Sequence, residues 1–218
     1  MRIIFVRHGE PDYARDCLTE AGHSQGRAAA ERLRSEGITH IFSSPMGRAM
    51  ETAEYTADAL GLPIQVLDFM HEIRWGSADG TRLFADGHPW DTANELIRRG
   101  VDLADPGWMA HPVFQGNLLL TEVPRVGDAT DAWLEEMGYV RQGAAYRCVR
   151  EQRATAALFC HGGSSTAALA RMLHLPFPYL CAAVHLCFAG SLTLRLDSRP
   201  GSVCLPILEA VWDDPDLG

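Results

Sequence analysis

Short apolar runs recur along this chain, and several of them stop abruptly at a polar group. Ile3-Ile4-Phe5-Val6 is solidly apolar and rich in β-branched residues, which predicts a short strand buried on both faces. It ends at Arg7-His8-Gly9-Glu10. Ile38-Thr39-His40-Ile41-Phe42 alternates, predicts a second strand, and ends at Ser43-Ser44-Pro45. Residues 64–67 give a third strand. Residues 155–160 give another buried one, which ends at His161-Gly162-Gly163.

Between these runs the pattern turns helical. Thr19 is placed to cap a helix that carries Glu20 in its first turn, runs to about residue 35 and is ended by Gly37. Ser44 as N-cap and Pro45 at the first helical position predict a second helix over 46–60, closed by Gly61. A helical piece covers about 91–99. A helix over about 128–136 is interrupted near Gly138, and another helical piece is predicted over 143–151. An Ala/Leu-rich helix follows His161-Gly162-Gly163 to about residue 173. Two late strands are predicted over 182–188 and 191–196, joined by Ala189-Gly190, with 203–208 as a last edge strand that Pro206 weakens. The acidic tail from Trp212 to Asp216 reads as frayed.

Residues 68–126 keep the weakest pattern, with Trp75, Trp90 and Trp108 scattered among Gly and Pro. A long irregular stretch in a compact domain is usually a lid or a binding loop. About 76–126 is therefore read as an insertion that covers the site, within a single domain spanning 1–218. Strands separated by helices pair in parallel. Their carboxyl ends then meet along one edge of the sheet, where open α/β folds bind ligands. The fold class is α/β with a mostly parallel central sheet.

Three such ends carry chemistry: Arg7-His8-Gly9, Ser43-Ser44-Pro45 with Arg48 in the following helical turn, and His161-Gly162-Gly163. Arginine offers a planar fork that matches phosphate oxygens, and a helix start adds backbone N–H groups. Together they suit a phosphoryl group whose charge is spread over three oxygens. Imidazole, with an ordinary pKa of about 6.5, supplies a neutral nucleophile. Neighbouring arginines would depress that pKa further. His8 is the candidate nucleophile. Gly9 beside it leaves room for a close approach. The leaving oxygen needs a proton, for which Glu72, just after the third strand, is the candidate acid; Glu10 and Glu51 are rival carboxyls.

Composition narrows the function. At 47% hydrophobic and 22% charged the chain is an ordinary globular one. A net charge of -9 argues against nucleic acid or an anionic membrane as partner, so a phosphate site must gather positive charge locally. No apolar run approaches the roughly 18 residues of a membrane span, and the N-terminal run is too short for a signal peptide. The six cysteines form no Cys-x-x-Cys pair and read as reduced thiols of a cytoplasmic protein, Cys160 among them as strand packing. No zinc pattern occurs among the nine histidines, so neither metal nor cofactor is expected. His71, His88, His111, His174 and His185 read as structural or surface residues, and Trp75, Trp90 and Trp108 as packing, with use of one of them by a lid over a substrate as the alternative.

In order along the chain stand Arg7-His8-Gly9-Glu10, Leu18-Thr19-Glu20-Ala21-Gly22, Ser43-Ser44-Pro45-Met46-Gly47-Arg48-Ala49-Met50-Glu51-Thr52-Ala53, His71-Glu72-Ile73-x-x-Gly76-x-x-x-Gly80 and His161-Gly162-Gly163. This ordered set resembles the histidine phosphatase superfamily, in its phosphoglycerate mutase-like branch (branch 1). The resemblance implies a three-layer α/β/α sandwich and a metal-independent phosphohistidine intermediate on His8. It implies a phosphate pocket of Arg7, Arg48 and His161, with Glu72 as proton donor. Gly162, Glu10 and Ser43 complete the expected substrate-binding set.

Phosphoglycerate mutases of this family resemble Arg-His-Gly-Glu-Ser-x-Trp-Asn after the first strand, where this chain has Pro11-Asp12-Tyr13-Ala14. Hydrolysis of a small phosphorylated substrate is therefore expected. A mutase-type phosphotransferase and a non-enzymatic regulator that binds phosphorylated ligands are the alternatives. The late apolar strands offer an edge at which a homodimer could form.

Overall fold

A computed structural model describes residues 1–213. Strand β1 (Arg2–Arg7) leads through a short hairpin, β2 (Pro11–Asp12) and β3 (Cys17–Leu18), into helix α1 (Glu20–Leu33). The hairpin lies in a stretch that carries no strand pattern of its own. Thr19 caps α1 as expected, its hydroxyl accepting from the Gly22 N–H at 3.1 Å. Next come β4 (His40–Ser43), α2 (Gly47–Leu60) and β5 (Ile64–Val66). Gly61 ends α2 in the left-handed region, which a residue without Cβ adopts freely.

The irregular stretch then holds α3 (Pro89–Arg98) among short turns and gives way to α4 (Leu119–Glu136). That helix starts well before residue 128, because Pro124 sits early in it, where little of the helical ladder is lost. The remaining elements are β6 (Tyr139–Gln142), β7 (Ala145–Cys148), β8 (Thr155–Cys160), α5 (Gly162–Leu173), α6 (Phe177–Ala183), β9 (Ser191–Arg195), β10 (Val203–Cys204) and β11 (Ile207–Trp212).

Six strands form the main sheet in the order β11-β9-β1-β8-β4-β5. The pairs β1–β8, β8–β4 and β4–β5 are parallel, and β9 and β11 are antiparallel. Alternation along β1 splits the core. Ile4 and Val6 face Leu33, Ala53 and Ala57 of α1 and α2, whereas Ile3 and Phe5 face the larger cluster that includes Leu96, Leu119, Leu134 and Leu169 from α3, α4 and α5. Helices thus cover both faces, as a three-layer sandwich requires.

Several expectations fail for local reasons. The piece 143–151 is not helical. Gly138 and Gly143, both at positive φ, frame the β6–β7 hairpin, in which Tyr139, Tyr146 and Cys148 are buried around exposed Arg147. Residues 182–188 are not a strand. Pro176 precedes α6, whose Phe177, Leu180 and Cys181 are buried at helical spacing, and the chain then crosses the sheet edge without regular structure. Pro206 divides the last strand, so that Val203–Cys204 pairs with β7 and Ile207–Trp212 with β9. Strand β11 is the outer edge and exposes Ile207, Leu208 and Val211. The tail residues 214–216, expected to be frayed, lie outside the described residues.

Candidate active site

β1, β4 and β8 end side by side, and each hands its next residues to a common cavity of about 950 Å3. His8, the residue after β1, is 2% exposed. Its backbone N–H donates to the Cys160 carbonyl at 3.0 Å, and its own carbonyl accepts from the Ala189 N–H at 3.1 Å, so the ring has a fixed root. Nδ1 lies 2.7 Å from the Gly9 carbonyl, and Arg48 Nε lies 3.3 Å from Nε2. A guanidinium only donates, so Nε2 must accept and Nδ1 must carry the proton. The nitrogen with the lone pair is Nε2, and in this structure that lone pair accepts from Arg48. Burial lowers the imidazole pKa to about 3, helped by Arg48 and Arg7 against the Gly9 carbonyl.

Arg48 enters from the first turn of α2 and is also buried. Asp16, from the tip of the β2–β3 hairpin, orients it. One carboxylate oxygen pairs with Arg48 Nη1 and the other accepts the Gly47 N–H at 2.8 Å. Arg7 reaches the cavity from β1. Its Nη1 donates to the Leu186 carbonyl at 2.6 Å, and its guanidinium lies 4.3 Å from the centre of the Phe188 ring. Its Nε is buried without a partner, a donor left open.

His161 sits between β8 and α5, fully buried, its ring centre 5.1 Å from that of His8. Its Nε2 lies 2.7 Å from Ser44 Oγ. Ser44 also accepts the Met46 N–H at 3.2 Å. Helix α2 begins only at Gly47, so Ser44 is not the N-cap the sequence suggested and Pro45 is not at the first helical position. Burial, His8 and Arg48 hold the His161 pKa well below the usual imidazole range.

Glu72 follows β5 and lies against the start of α5. Oε1 accepts the N–H groups of Ile73 at 2.9 Å and Ser164 at 2.8 Å, and Oε2 accepts that of Gly163 at 3.1 Å. Burial raises the Glu72 pKa above the usual carboxyl value, while these N–H groups and Arg48 pull against it. Because Oε1 already accepts two bonds, Oε2 is the oxygen placed to carry a proton. Gly163 explains itself here: a Cβ on it would lie 2.6 Å from Glu72 Oε1 and 2.5 Å from Ile73 Cγ1.

The cavity thus brings together Arg7, His8, Arg48, Glu72 and Gly162, with His161 immediately behind. It does not gather the other expected residues. Ser43 donates to the Ser44 carbonyl at 2.9 Å and lies off the cavity lining. Glu10 accepts the Thr19 hydroxyl at 2.7 Å and closes the β2–β3 hairpin on α1. Glu51 accepts the Leu18 N–H at 2.6 Å. Neither rival carboxyl lines the cavity. Gly9 does not admit a ligand: its missing Cβ makes room for the Gly22 carbonyl, 2.6 Å from where that atom would stand. Sequence reasoning misses Asp16 and the contact of Ser44 with His161. Ser44 stood in the right tripeptide and was assigned to a cap, and Asp16 carried no pattern at all.

With this geometry in view, the family model of the histidine phosphatase superfamily (branch 1) matches residues 3–107. The matched residues make up just under half of the chain, and over them it is similar to this superfamily. Among curated relatives, a protein named probable phosphoglycerate mutase GpmB from Yersinia enterocolitica is 35% identical over 85 residues, covering 35% of this chain and 40% of that relative. Its namesake from Yersinia pestis is 39% identical over the same length. The match therefore spans well under half of these relatives.

Solved structures extend the likeness to the whole chain. A phosphoserine phosphatase from Entamoeba histolytica superposes with a TM-score of 0.64 at 19% identity, covering 99% of this chain and 98% of that one. A mycobacterial glucosyl-3-phosphoglycerate phosphatase superposes with a TM-score of 0.61 at 21% identity, covering 96% and 99%. At these identities they establish the fold alone. Among the described residues no helix is long and apolar enough to cross a membrane.

Proposed function

We propose that this chain hydrolyses phosphate monoesters through a phosphohistidine on His8. The observation that carries the reading is the His8 ring: its Nδ1–H is held by the Gly9 carbonyl, which leaves Nε2, accepting from Arg48 at the cavity, as the nitrogen with a lone pair. The Nε2 lone pair attacks phosphorus, and the bond to the leaving oxygen breaks in line. Arg7, Arg48 and His161 surround the transferring oxygens, where preorganised donors stabilise developing charge. Glu72 delivers its proton from Oε2 to the leaving oxygen. The resulting carboxylate takes a proton from water, whose oxygen attacks phosphorus; the P–N bond breaks and neutral His8 returns. Charge neutralisation by arginines and proton transfer by a carboxyl leave no step that calls for a metal. The buried thiols of Cys148, Cys160 and Cys181 suit a reducing compartment, the cytoplasm.

The test is turnover of p-nitrophenyl phosphate in chelator by the wild type and by His8→Ala. The expected result is chelator-resistant hydrolysis that His8→Ala abolishes, with one acid-labile phosphate trapped per wild-type chain. Equal rates in the two proteins would refute it. The name carried by the Yersinia relatives supports a second reading, transfer of the phosphoryl group between phosphoglycerate hydroxyls. Exchange of label between 2- and 3-phosphoglycerate faster than release of phosphate would favour that reading instead.

A further inference from the structure

Beyond its phosphate end, the cavity is an aromatic wall that gathers no net positive formal charge. Trp90, second residue of α3, lies over the first residue of α5: a Cβ on Gly162 would stand 3.6 Å from Cζ2 and Cη2 of its indole. Trp90 therefore borders the catalytic floor directly. The His88 ring follows at 5.7 Å from Trp90, and Trp75 at 5.2 Å from His88. Ile73, Leu169, Val184 and Leu186 supply the aliphatic lining.

Three cationic or titratable side chains lie along this outer part, and each has a carboxylate. Arg74 pairs at 2.7 Å with the buried Glu122, a carboxylate it shares with Arg125 at 2.8 Å, and His88 lies 3.3 Å from Asp91. His185 has the Asp213 carboxylate within 4.8 Å. With Glu122, Asp91 and Asp213 set against Arg74 and Arg125, a second anionic group on the substrate would meet no net positive formal charge there, in a chain of net charge -9. Removing such a group from water without a partner is unfavourable. The volume, about 950 Å3, is at the upper end of the roughly 300–1,000 Å3 of pockets for drug-sized ligands.

We propose that the cavity selects phosphate monoesters of uncharged alcohols that carry a flat ring, with Trp90 as the surface on which the ring stacks. The proposal rests on the phosphomonoesterase reading above. It sets small carboxylated esters such as phosphoserine and 3-phosphoglycerate among the poor substrates, because they offer an unmatched anion and nothing to stack.

The experiment compares kcat/KM of the full chain for 2-phenylethyl phosphate, ethyl phosphate, phosphoserine and 3-phosphoglycerate. All have alkyl leaving groups, so differences report the pocket. The expected order puts 2-phenylethyl phosphate about tenfold or more above each of the others, the size of one good aromatic stack. In Trp90→Leu, which keeps an apolar side chain on α3, the ratio of phenylethyl to ethyl phosphate falls about tenfold, mostly through KM. In Trp90→Phe it is largely kept. Phosphoserine or 3-phosphoglycerate outpacing 2-phenylethyl phosphate overturns the proposal, as does an unchanged ratio in Trp90→Leu; hydrolysis of ethyl phosphate shows in either case that the phosphomonoesterase reading survives. No hydrolysis of any ester by folded protein overturns both.

Discussion

Replacing Glu72 by Gln removes one proton and almost no volume, so it isolates the acid. General acid catalysis is worth about 100- to 10,000-fold. That is about 2.7–5.4 kcal/mol of barrier, at 1.36 kcal/mol per decade. The full loss is expected in kcat for ethyl phosphate, whose alkoxide cannot leave unprotonated. p-Nitrophenyl phosphate behaves differently, because nitrophenolate leaves without a proton. Its first step survives, and the second step, in which the carboxylate deprotonates water, is the one that slows. Stopped-flow absorbance should show a burst of one nitrophenolate per chain followed by slow turnover.

The structure also fixes the side effect. Oε1 accepts from Ile73 and Ser164, so the amide oxygen takes that place and the NH2 group faces the Gly163 N–H, two donors opposed at about the present 3.1 Å. One lost bond to a buried group costs about 1–3 kcal/mol. For a chain of this size that is on the order of 2–10 °C in Tm. Glu72→Gln is thus expected to melt somewhat earlier yet bind phosphate and give a burst. Equal loss on both esters with no burst would show that Glu72 serves the fold or the phosphate pocket and is not the proton donor.

Three further outcomes follow from the same geometry. His8 is buried neutral with a pKa of about 3, against about 6.5 unfolded, so below pH 6.5 the unfolded chain binds the extra proton and stability falls with pH until about 3. Between pH 7 and pH 5 this contributes a loss of about 2 kcal/mol, and denaturant melts of His8→Asn should show a smaller pH dependence than the wild type by about that amount. Ser44→Ala removes the 2.7 Å contact that holds His161 and should lower kcat/KM about tenfold, the worth of roughly one hydrogen bond, with Ser44→Thr restoring most of it. Gly163→Ala drives a methyl into Glu72 and should reproduce the selective loss on ethyl phosphate, whereas Gly162→Ala, with only Trp90 at 3.6 Å, should have the smaller effect.

How much of this was legible depends on whether the controlling contact is local. β1 and β8 were readable because solid apolar runs have few other uses, and their polar ends named Arg7, His8 and His161 directly. Glu72 and Arg48 were readable as members of an ordered motif set. Ser44 was misassigned because serine before proline is a strong helix-start signal, and the competing partner, His161, lies 117 residues away. The β6–β7 hairpin was misread because two glycines and an Arg-rich stretch hide a period-two pattern that only the burial of Tyr139 and Tyr146 makes plain. Asp16 was invisible for a further reason. Its role is to hold Arg48 and the Gly47 N–H at once, a bridge between a loop tip and a helix start that no spacing encodes.

The glycines carry this argument furthest. Gly9 follows His8 and Gly163 stands two residues after His161, and along the sequence Gly9 reads as room for a close approach. In the fold both clear space for the protein itself. Gly9 lets the α1 backbone press onto the end of β1, since Gly22 needs the same freedom against the Glu10 carbonyl, 2.2 Å from where its Cβ would stand. That double contact locks the peptide whose carbonyl holds the His8 Nδ1 proton. Gly163 lets Glu72 reach the N–H groups of α5. One glycine therefore fixes the tautomer of His8, the proposed nucleophile, and the other the position of Glu72, the proposed acid. A methyl group at either would be felt first in proton placement and only secondarily in phosphate affinity.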